Sequence, residues 1–396
     1  MDFVLSKRIA NVKPSAIREI FKLAADPRII AFSAGNPSQE AFPVEEVRRW
    51  TEEILEKDPI LALQYSLSEG YTPLRQRIGE FLKDKYGIGT ENDDIIITTG
   101  AEQALDLVTK ILCNEGDSIL CEAPSFVGAL NTFRSYHTNL IGVEMEQDGI
   151  DLVKLEDALK SNKNIKFMYL IPNFQNPSGI TMSLEKRKKV LELSVKYSVP
   201  IVEDNPYGDL RFHGEAVPAI KSMDSTGNVI YVGSFSKILS PGLRVAYLCT
   251  PKALVPKLTV AKQCTDVHTP ILNQLLCYKF LTEFDFDAHI AHCSSIYKAK
   301  YELMAETIER SFSKKVQVTK PEGGLFLWCT LPEGSDIMAF SKKAVERGVA
   351  VVPGTAFMMN EEDISTSFRL NYSTPSDEKI IKGIEILGQL TRELFD

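Results

Sequence analysis

Between residues 94 and 236, short β-rich apolar runs alternate with longer stretches of helical period, the pattern of parallel strands joined by crossover helices. The runs predict strands over 95–98, 118–121, 140–143, 166–171, 201–203, 229–232 and 244–248. A helix over 101–114 gathers Ala104, Leu105, Val108, Ile111 and Leu112 on one face and stops at Gly116. A second, over 183–197, opens on Ser183 as N-cap and turns its basic run 186–189 to water. Upstream, amphipathic helices are predicted over 43–56, on Val44, Val47, Trp50 and Ile54, and over 73–86, on Leu74, Ile78, Phe81 and Leu82, with Gly87 as the stop. A further helix is expected over 15–25. Beyond 285 the texture changes to a long charged helix over 288–312, strands over 324–329, 349–352 and 367–372, and a last helix from Ser376. This is an α/β chain: a large domain with a mostly parallel seven-stranded sheet between helices, plus a smaller α+β domain. The expected division is an N-terminal segment over 1–45, the large domain over 46–280 and the small one over 281–396, with no repeat or low-complexity linker between them.

Composition narrows the function classes. A hydrophobic fraction of 44% and a charged fraction of 25% are those of a folded globular protein and exclude a disordered chain. A net charge of −8 repels a polyphosphate, so nucleic acid is not the expected partner. No apolar run reaches the ~18 residues of a membrane span. The first thirty residues are rich in charge and lack an apolar core, so no secretory signal is expected and the cytoplasm is the expected compartment. The seven cysteines are odd in number, scattered and never spaced C-x-x-C, which points to small buried hydrophobes rather than disulfides or zinc ligands. His289, His292 and Cys293 share a helical spacing but have no evident fourth ligand, so they are expected on a surface helix with no metal.

In an open parallel sheet, ligands bind beyond the carboxyl ends of the strands. After 95–98 comes Thr99-Gly100-Ala101-Glu102, a glycine turn opening a helix whose free N–H groups suit a phosphate. After 166–171 comes Pro172-Asn173-Phe174-Gln175-Asn176-Pro177-Ser178-Gly179, and after 201–203 comes Asp204-Asn205-Pro206-Tyr207. After 229–232 comes Gly233-Ser234-Phe235-Ser236-Lys237, with Arg244 seven residues further on. Taken singly, Lys237 is an ordinary solvated charge and Asp204 a turn former. Together, a lysine, a carboxylate and a cradle of Ser, Ser, Arg and a helix N-terminus meet what pyridoxal 5′-phosphate requires: an amine for its aldehyde, a counter-charge for its ring nitrogen and donors for its phosphate.

The segment Ser234-Phe235-Ser236-Lys237-Ile238-Leu239-Ser240-Pro241-Gly242-Leu243-Arg244 resembles the Schiff-base motif of class I/II aminotransferases of fold type I. The runs 172–179 and 203–207 resemble that family's other signatures in the expected order. The likeness extends to Phe32-Ser33-Ala34-Gly35-Asn36-Pro37, to Gln64-Tyr65-Ser66 and to Ser367-Phe368-Arg369-Leu370, and is greatest to the aminoadipate and kynurenine aminotransferase branch. The resemblance implies that Lys237 forms the imine and shuttles the proton, that Asp204 pairs with the pyridinium nitrogen, and that Asn176 and Tyr207 bind the phenolic oxygen. It implies that Ser234, Ser236, Arg244 and the backbone of Gly100, Ala101 and Glu102 hold the phosphate, and that Phe126 lies against the ring. Arg369, Asn176 and the Gly35 backbone would take the substrate carboxylate. Tyr65 would reach the phosphate of a second subunit, making a homodimer, and the segment 1–45 would pack with the small domain and the active site. Two departures stand out: many relatives carry a tyrosine at the position of Phe126, and a hydroxyl residue often stands at that of Ala101. Without the likeness, Arg369, alternating with Phe368 and Leu370, would be an outward-facing strand charge. The implied activity is transfer of an amino group from an aromatic, aminoadipate-like or broader range of L-amino acids to a 2-oxo acid such as 2-oxoglutarate. A lyase or racemase on the same scaffold is an alternative, because fold does not decide which bond to Cα breaks. A ligand sensor related to GntR-type fusions is a second, weakened by the acidic net charge.

Overall fold

The computed structural model describes residues 28–396 other than Glu361, together with Ser6 and Asp26. The helix expected over 15–25 lies outside the described residues.

β1 (Ile30–Ala31) runs parallel to β12 (Val349–Ala350), so the chain enters by pairing with a strand from its far end. The large sheet is built from β2 (Asp93–Thr98), β3 (Ser118–Ala123), β4 (Asn139–Glu146), β5 (Gly149–Ile150), β6 (Ile165–Leu170), β7 (Ile201–Asp204), β8 (Val229–Ser234) and β9 (Ala246–Pro251). Its order is β2-β9-β8-β7-β6-β3-β4-β5. The seven expected strands are all present, and the two-residue β5 adds an antiparallel edge to β4. The run β4-β3-β6-β7-β8 is parallel, whereas β9 is antiparallel to both β8 and β2.

The central strands are apolar on both faces because helices cover both. Along β6, Phe167 and Tyr169 join Ala104, Leu105, Val108, Leu130 and Phe133 in one core cluster. Met168 and Leu170, on the opposite face, join Leu155, Leu159, Val190 and Leu193 in another. The helices Ala101–Leu112 and Val127–Ser135 supply the first set and the helix Leu184–Tyr197 part of the second. The helix Thr72–Tyr86 ends, as expected, at Gly87, whose φ of +65° is left-handed.

A second sheet, ordered β10-β11-β14-β13, consists of β10 (Gln317–Val318), β11 (Phe326–Thr330), β13 (Val352–Pro353) and β14 (Ser367–Asn371). The helices Phe286–Ser311 and Asp377–Phe395 pack together beside it, the latter capped by the Ser376 hydroxyl.

Three expectations need correction. In the helix Leu184–Tyr197 only Lys188 and Lys189 of the run 186–189 face water; Lys186 is buried between Glu146 and Asp148, and Arg187 is fully buried among carbonyl oxygens. His289 and Cys293 are buried rather than on a surface: the His289 imidazole donates to the Ile238 carbonyl at 2.6 Å, because helix Phe286–Ser311 packs that face on the Lys237 loop. Cysteines 113 and 264 are not buried, since each is the C-cap of a helix and lies at its outer end. All seven thiols are free, and no cluster of His, Cys, Asp or Glu among the described residues could hold a metal. No helix among them is long and apolar enough to cross a membrane.

Candidate active site

The chemistry collects where β2, β6, β7 and β8 end. At the end of β2, Gly100 is the N-cap of Ala101–Leu112 with φ +84° and ψ 163°, a conformation that side chains avoid. A Cβ there would overlap the Arg244 guanidinium, which donates to the Thr99 carbonyl at 3.5 Å and the Pro241 carbonyl at 3.3 Å. A cation thus sits directly on the turn that exposes the first N–H groups of a helix, including those of Ala101 and Glu102, and both attract an anion. Beside it, Ser234 closes β8 and accepts a hydrogen bond from the Ser236 N–H at 3.1 Å, which folds the chain toward Lys237.

The Lys237 ammonium donates to the Gly35 carbonyl at 2.8 Å. Burial, followed by repulsion from Arg369 and Arg244, pulls its pKa down to about 8. Asp204, the last residue of β7, is buried and accepts from the Tyr169 hydroxyl at 2.8 Å through Oδ2. Its Oδ1 is buried with no partner, and burial raises its pKa to about 7 against the opposing pull of Tyr169. Tyr169 is one residue that sequence reasoning missed. It reaches Asp204 because β6 and β7 are neighbours, with Tyr169 in register with Val202, and no local signal announces that pairing.

Asn176 ties the site together. Its Nδ2 donates to the Tyr207 hydroxyl at 3.3 Å, and its Oδ1 accepts from Arg369 at 2.8 Å. Arg369 is buried on β14, so the alternative of an outward-facing charge is excluded. It donates also to the Ser33 carbonyl at 2.9 Å, while its Nε has no partner and no ion pair engages it among the described residues. Its guanidinium lies 4.2 Å from the Phe326 ring centre and 5.1 Å from that of Phe357, two contacts invisible in one dimension. The Tyr207 hydroxyl is pushed well up by burial and stays protonated at neutral pH.

Two expected residues stand apart from this network. Phe126 is the N-cap of the helix Val127–Ser135 and packs on the core cluster of Phe133 and Tyr169, with its ring where a Cβ on Gly128 would go. Tyr65 is 81% exposed, with its ring edge-to-face against His268 at 5.8 Å.

Residues 27–387 match the family model for aminotransferase class I and II. The chain belongs to that family. It is similar to aromatic-amino-acid aminotransferase 1 of Thermococcus litoralis, 40% identical over 98% of this chain and 94% of the relative. It is 39% identical to the 2-aminoadipate transaminase of Thermus thermophilus, over 98% of this chain and 96% of the relative. Among solved structures, kynurenine aminotransferase of Pyrococcus horikoshii, in complex with PMP, superposes with a TM-score of 0.96 at 37% identity, covering 99% of this chain and 98% of that one.

Class I and II aminotransferases work with pyridoxal 5′-phosphate, and the residues present fit it. The unpartnered Asp204 Oδ1 is a buried acceptor that a cationic N–H would satisfy. The Gly100 turn with Arg244 on it suits a phosphate dianion, and Lys237 is a lysine brought within reach of the neutral form.

Proposed function

We propose that this aminotransferase moves the amino group of an L-amino acid with an aromatic or aminoadipate-like side chain to a 2-oxo acid such as 2-oxoglutarate. The observation that carries the reading is the buried Asp204 carboxylate with one oxygen unpartnered, a costly arrangement unless a cation completes it. The donors named for the relatives, aromatic amino acids and 2-aminoadipate, support this choice of substrate.

When bound, pyridoxal 5′-phosphate supplies an aldehyde that condenses with amines and a ring that accepts electron density from the substrate Cα. The rest falls to the protein. Ser234, Ser236, Arg244 and the N–H groups of Ala101 and Glu102 would hold the phosphate. Asp204 would hold the proton on the ring nitrogen, and Tyr169, donating to its other oxygen, keeps the carboxylate oriented. Asn176 and Tyr207 bind the phenolic oxygen; because Tyr207 already accepts from Asn176, its own proton is free to donate. Phe126, packed on the core cluster of Phe133 and Tyr169, would lie against the ring. Arg369, held in place by Asn176 and the Ser33 carbonyl, binds the substrate carboxylate together with the Gly35 backbone. Lys237, lowered toward neutrality, would supply the amine that holds the aldehyde and would carry the proton taken from the substrate Cα.

The molecule is proposed to divide into a large cofactor-binding domain over 46–280 and a small domain over 281–396, with the segment 1–45 joined to the latter, in keeping with the β1–β12 pair. It is proposed to act as a homodimer through the exposed Ile60, Leu63, Tyr65 and Leu67, with Tyr65 reaching the partner's phosphate site. Its seven free thiols suit a reducing cytoplasm.

The visible spectrum tests the reading. A band that bleaches on adding phenylalanine, kynurenine or 2-aminoadipate and returns with 2-oxoglutarate is expected; a bound cofactor that does not complete this cycle overturns it.

A further inference from the structure

Arg187 is among the largest fully buried side chains of the molecule, and none of the chemistry above employs it. A guanidinium carries five N–H groups, and here every one meets an oxygen. Nε donates to the Met182 carbonyl at 2.9 Å, Nη1 to the carbonyls of Val217 at 3.2 Å and Pro218 at 3.0 Å, and Nη2 to the Pro172 carbonyl at 2.9 Å and to Asn173 Oδ1 at 2.6 Å. No carboxylate among the described residues pairs with it directly, although the buried Glu203 and Glu122 offset its charge through space. Burial lowers its pKa to about 10, which leaves it cationic at neutral pH.

What it grips is informative. Pro172, Asn173 and Met182 are the two ends of the loop that carries Asn176. Asn173 passes the restraint on, since its Nδ2 donates to Asn205 Oδ1 at 2.8 Å. Asn205 in turn donates to the Tyr231 hydroxyl at 2.8 Å, which fixes the segment between Asp204 and Tyr207. One guanidinium therefore reaches both loops whose side chains meet in the Asn176–Tyr207 hydrogen bond.

We propose that Arg187 is a positioning residue of the active site: through Asn173 and Asn205 it holds the Asn176 loop and the Asp204–Tyr207 loop in one mutual register. A lysine cannot substitute, because three donors at a single point do not span acceptors on three chain segments. The catalytic consequence rests on the amino-transfer reading, whereas the coupling of the two loops rests on hydrogen-bond geometry alone.

The test uses Arg187→Lys and Asn173→Ala, with the exposed neighbour Lys188→Ala as control. Hydrogen exchange of the cofactor-free protein should show residues 172–182 and 205–208 loosening together in both variants and not in the control. In the cofactor-loaded protein the pH midpoint of the visible band should rise by about one unit, because misplaced Asn176 and Tyr207 withdraw less charge from the phenolic oxygen. The value of kcat should fall about 10- to 100-fold, the usual cost of losing a supporting shell. Unchanged exchange at 205–208 and an unchanged midpoint in both variants overturn the proposal, even if thermal stability falls. If Arg187→Lys does not fold, Asn173→Ala decides alone. If the loops loosen together but the wild-type protein shows no cofactor band, the amino-transfer reading fails and the coupling stands; a normal wild-type cycle with unaltered variants sinks only the coupling.

Discussion

Burial displaces Lys237 and Asp204 in opposite directions, to about 8 and about 7, so that near neutrality each is drawn toward its uncharged form. For Asp204 this has a measurable cost in the cofactor-free protein. Between pH 4 and 7 the unfolded chain has released a proton that the native state still holds, so native stability declines as pH rises through that window. The full effect is on the order of 4 kcal/mol. Thermal melts of cofactor-free Asp204→Asn should lack this decline, and adding cofactor to the wild type should restore stability at pH 7, because a cationic partner keeps the carboxylate ionised. Melts of wild type and variant that run parallel from pH 4 to 7 would contradict the environment assigned to Asp204. Lys237→Ala should lower turnover by about 10³-fold or more, since both the amine and the proton carrier go with it. Arg244 and Asp204 should still retain the cofactor non-covalently, which dialysis followed by absorbance will show.

At the scale of elements, the site depends on how strands hand over to helices. Gly100 begins the helix Ala101–Leu112 in a conformation nearly closed to other residues, and its missing side chain is where Arg244 lies. Gly116 has a similar φ of +85° but no neighbour within 4 Å. The two glycines separate backbone strain from lost function. Gly116→Ala should cost about 1 kcal/mol of stability and leave cofactor affinity intact, whereas Gly100→Ala should carry that cost and also weaken cofactor binding about tenfold or more by displacing Arg244. Equal affinities in the two variants, measured by titration, would remove Arg244 from the phosphate site. β9 matters for the same reason. Because it returns antiparallel to β8, the connection between Ser234 and Ala246 is a tight excursion that brings Lys237 and Arg244 back to the strand ends.

For the whole molecule, the exposed apolar run from Ile60 to Leu67 needs an explanation that the monomer does not provide. Ile60 is 75% and Leu63 74% exposed, beside Tyr65. Light scattering should give twice the mass of one chain. A paired Ile60→Asp and Leu63→Asp substitution should shift the protein toward monomer and lower activity with it, because Tyr65 would no longer reach a partner's site. A wild-type protein that is monomeric and fully active would end the dimer proposal.

The sequence by itself determined most of the elements and their order, since period and caps are local: Gly87 ends its helix, Ser183 and Ser376 cap theirs, and seven of the eight strands of the large sheet lie within a few residues of their expected places. It also marked the segments that surround the site, because ligand-binding residues follow strand ends and turn chemistry is legible there. Only the tertiary structure decided what those segments touch. Tyr169 meets Asp204 because β6 lies beside β7, a pairing made by long-range register that neither strand's composition encodes. Arg369 points into the molecule between Phe326 and Phe357, although an alternating strand could expose it equally well. Arg187 sits in a basic run that composition alone assigns to water, although it stands one turn before Val190 and Leu191. It is buried because the loops around it turn carbonyl oxygens toward its guanidinium, an arrangement that becomes visible only once the loops have folded over the helix.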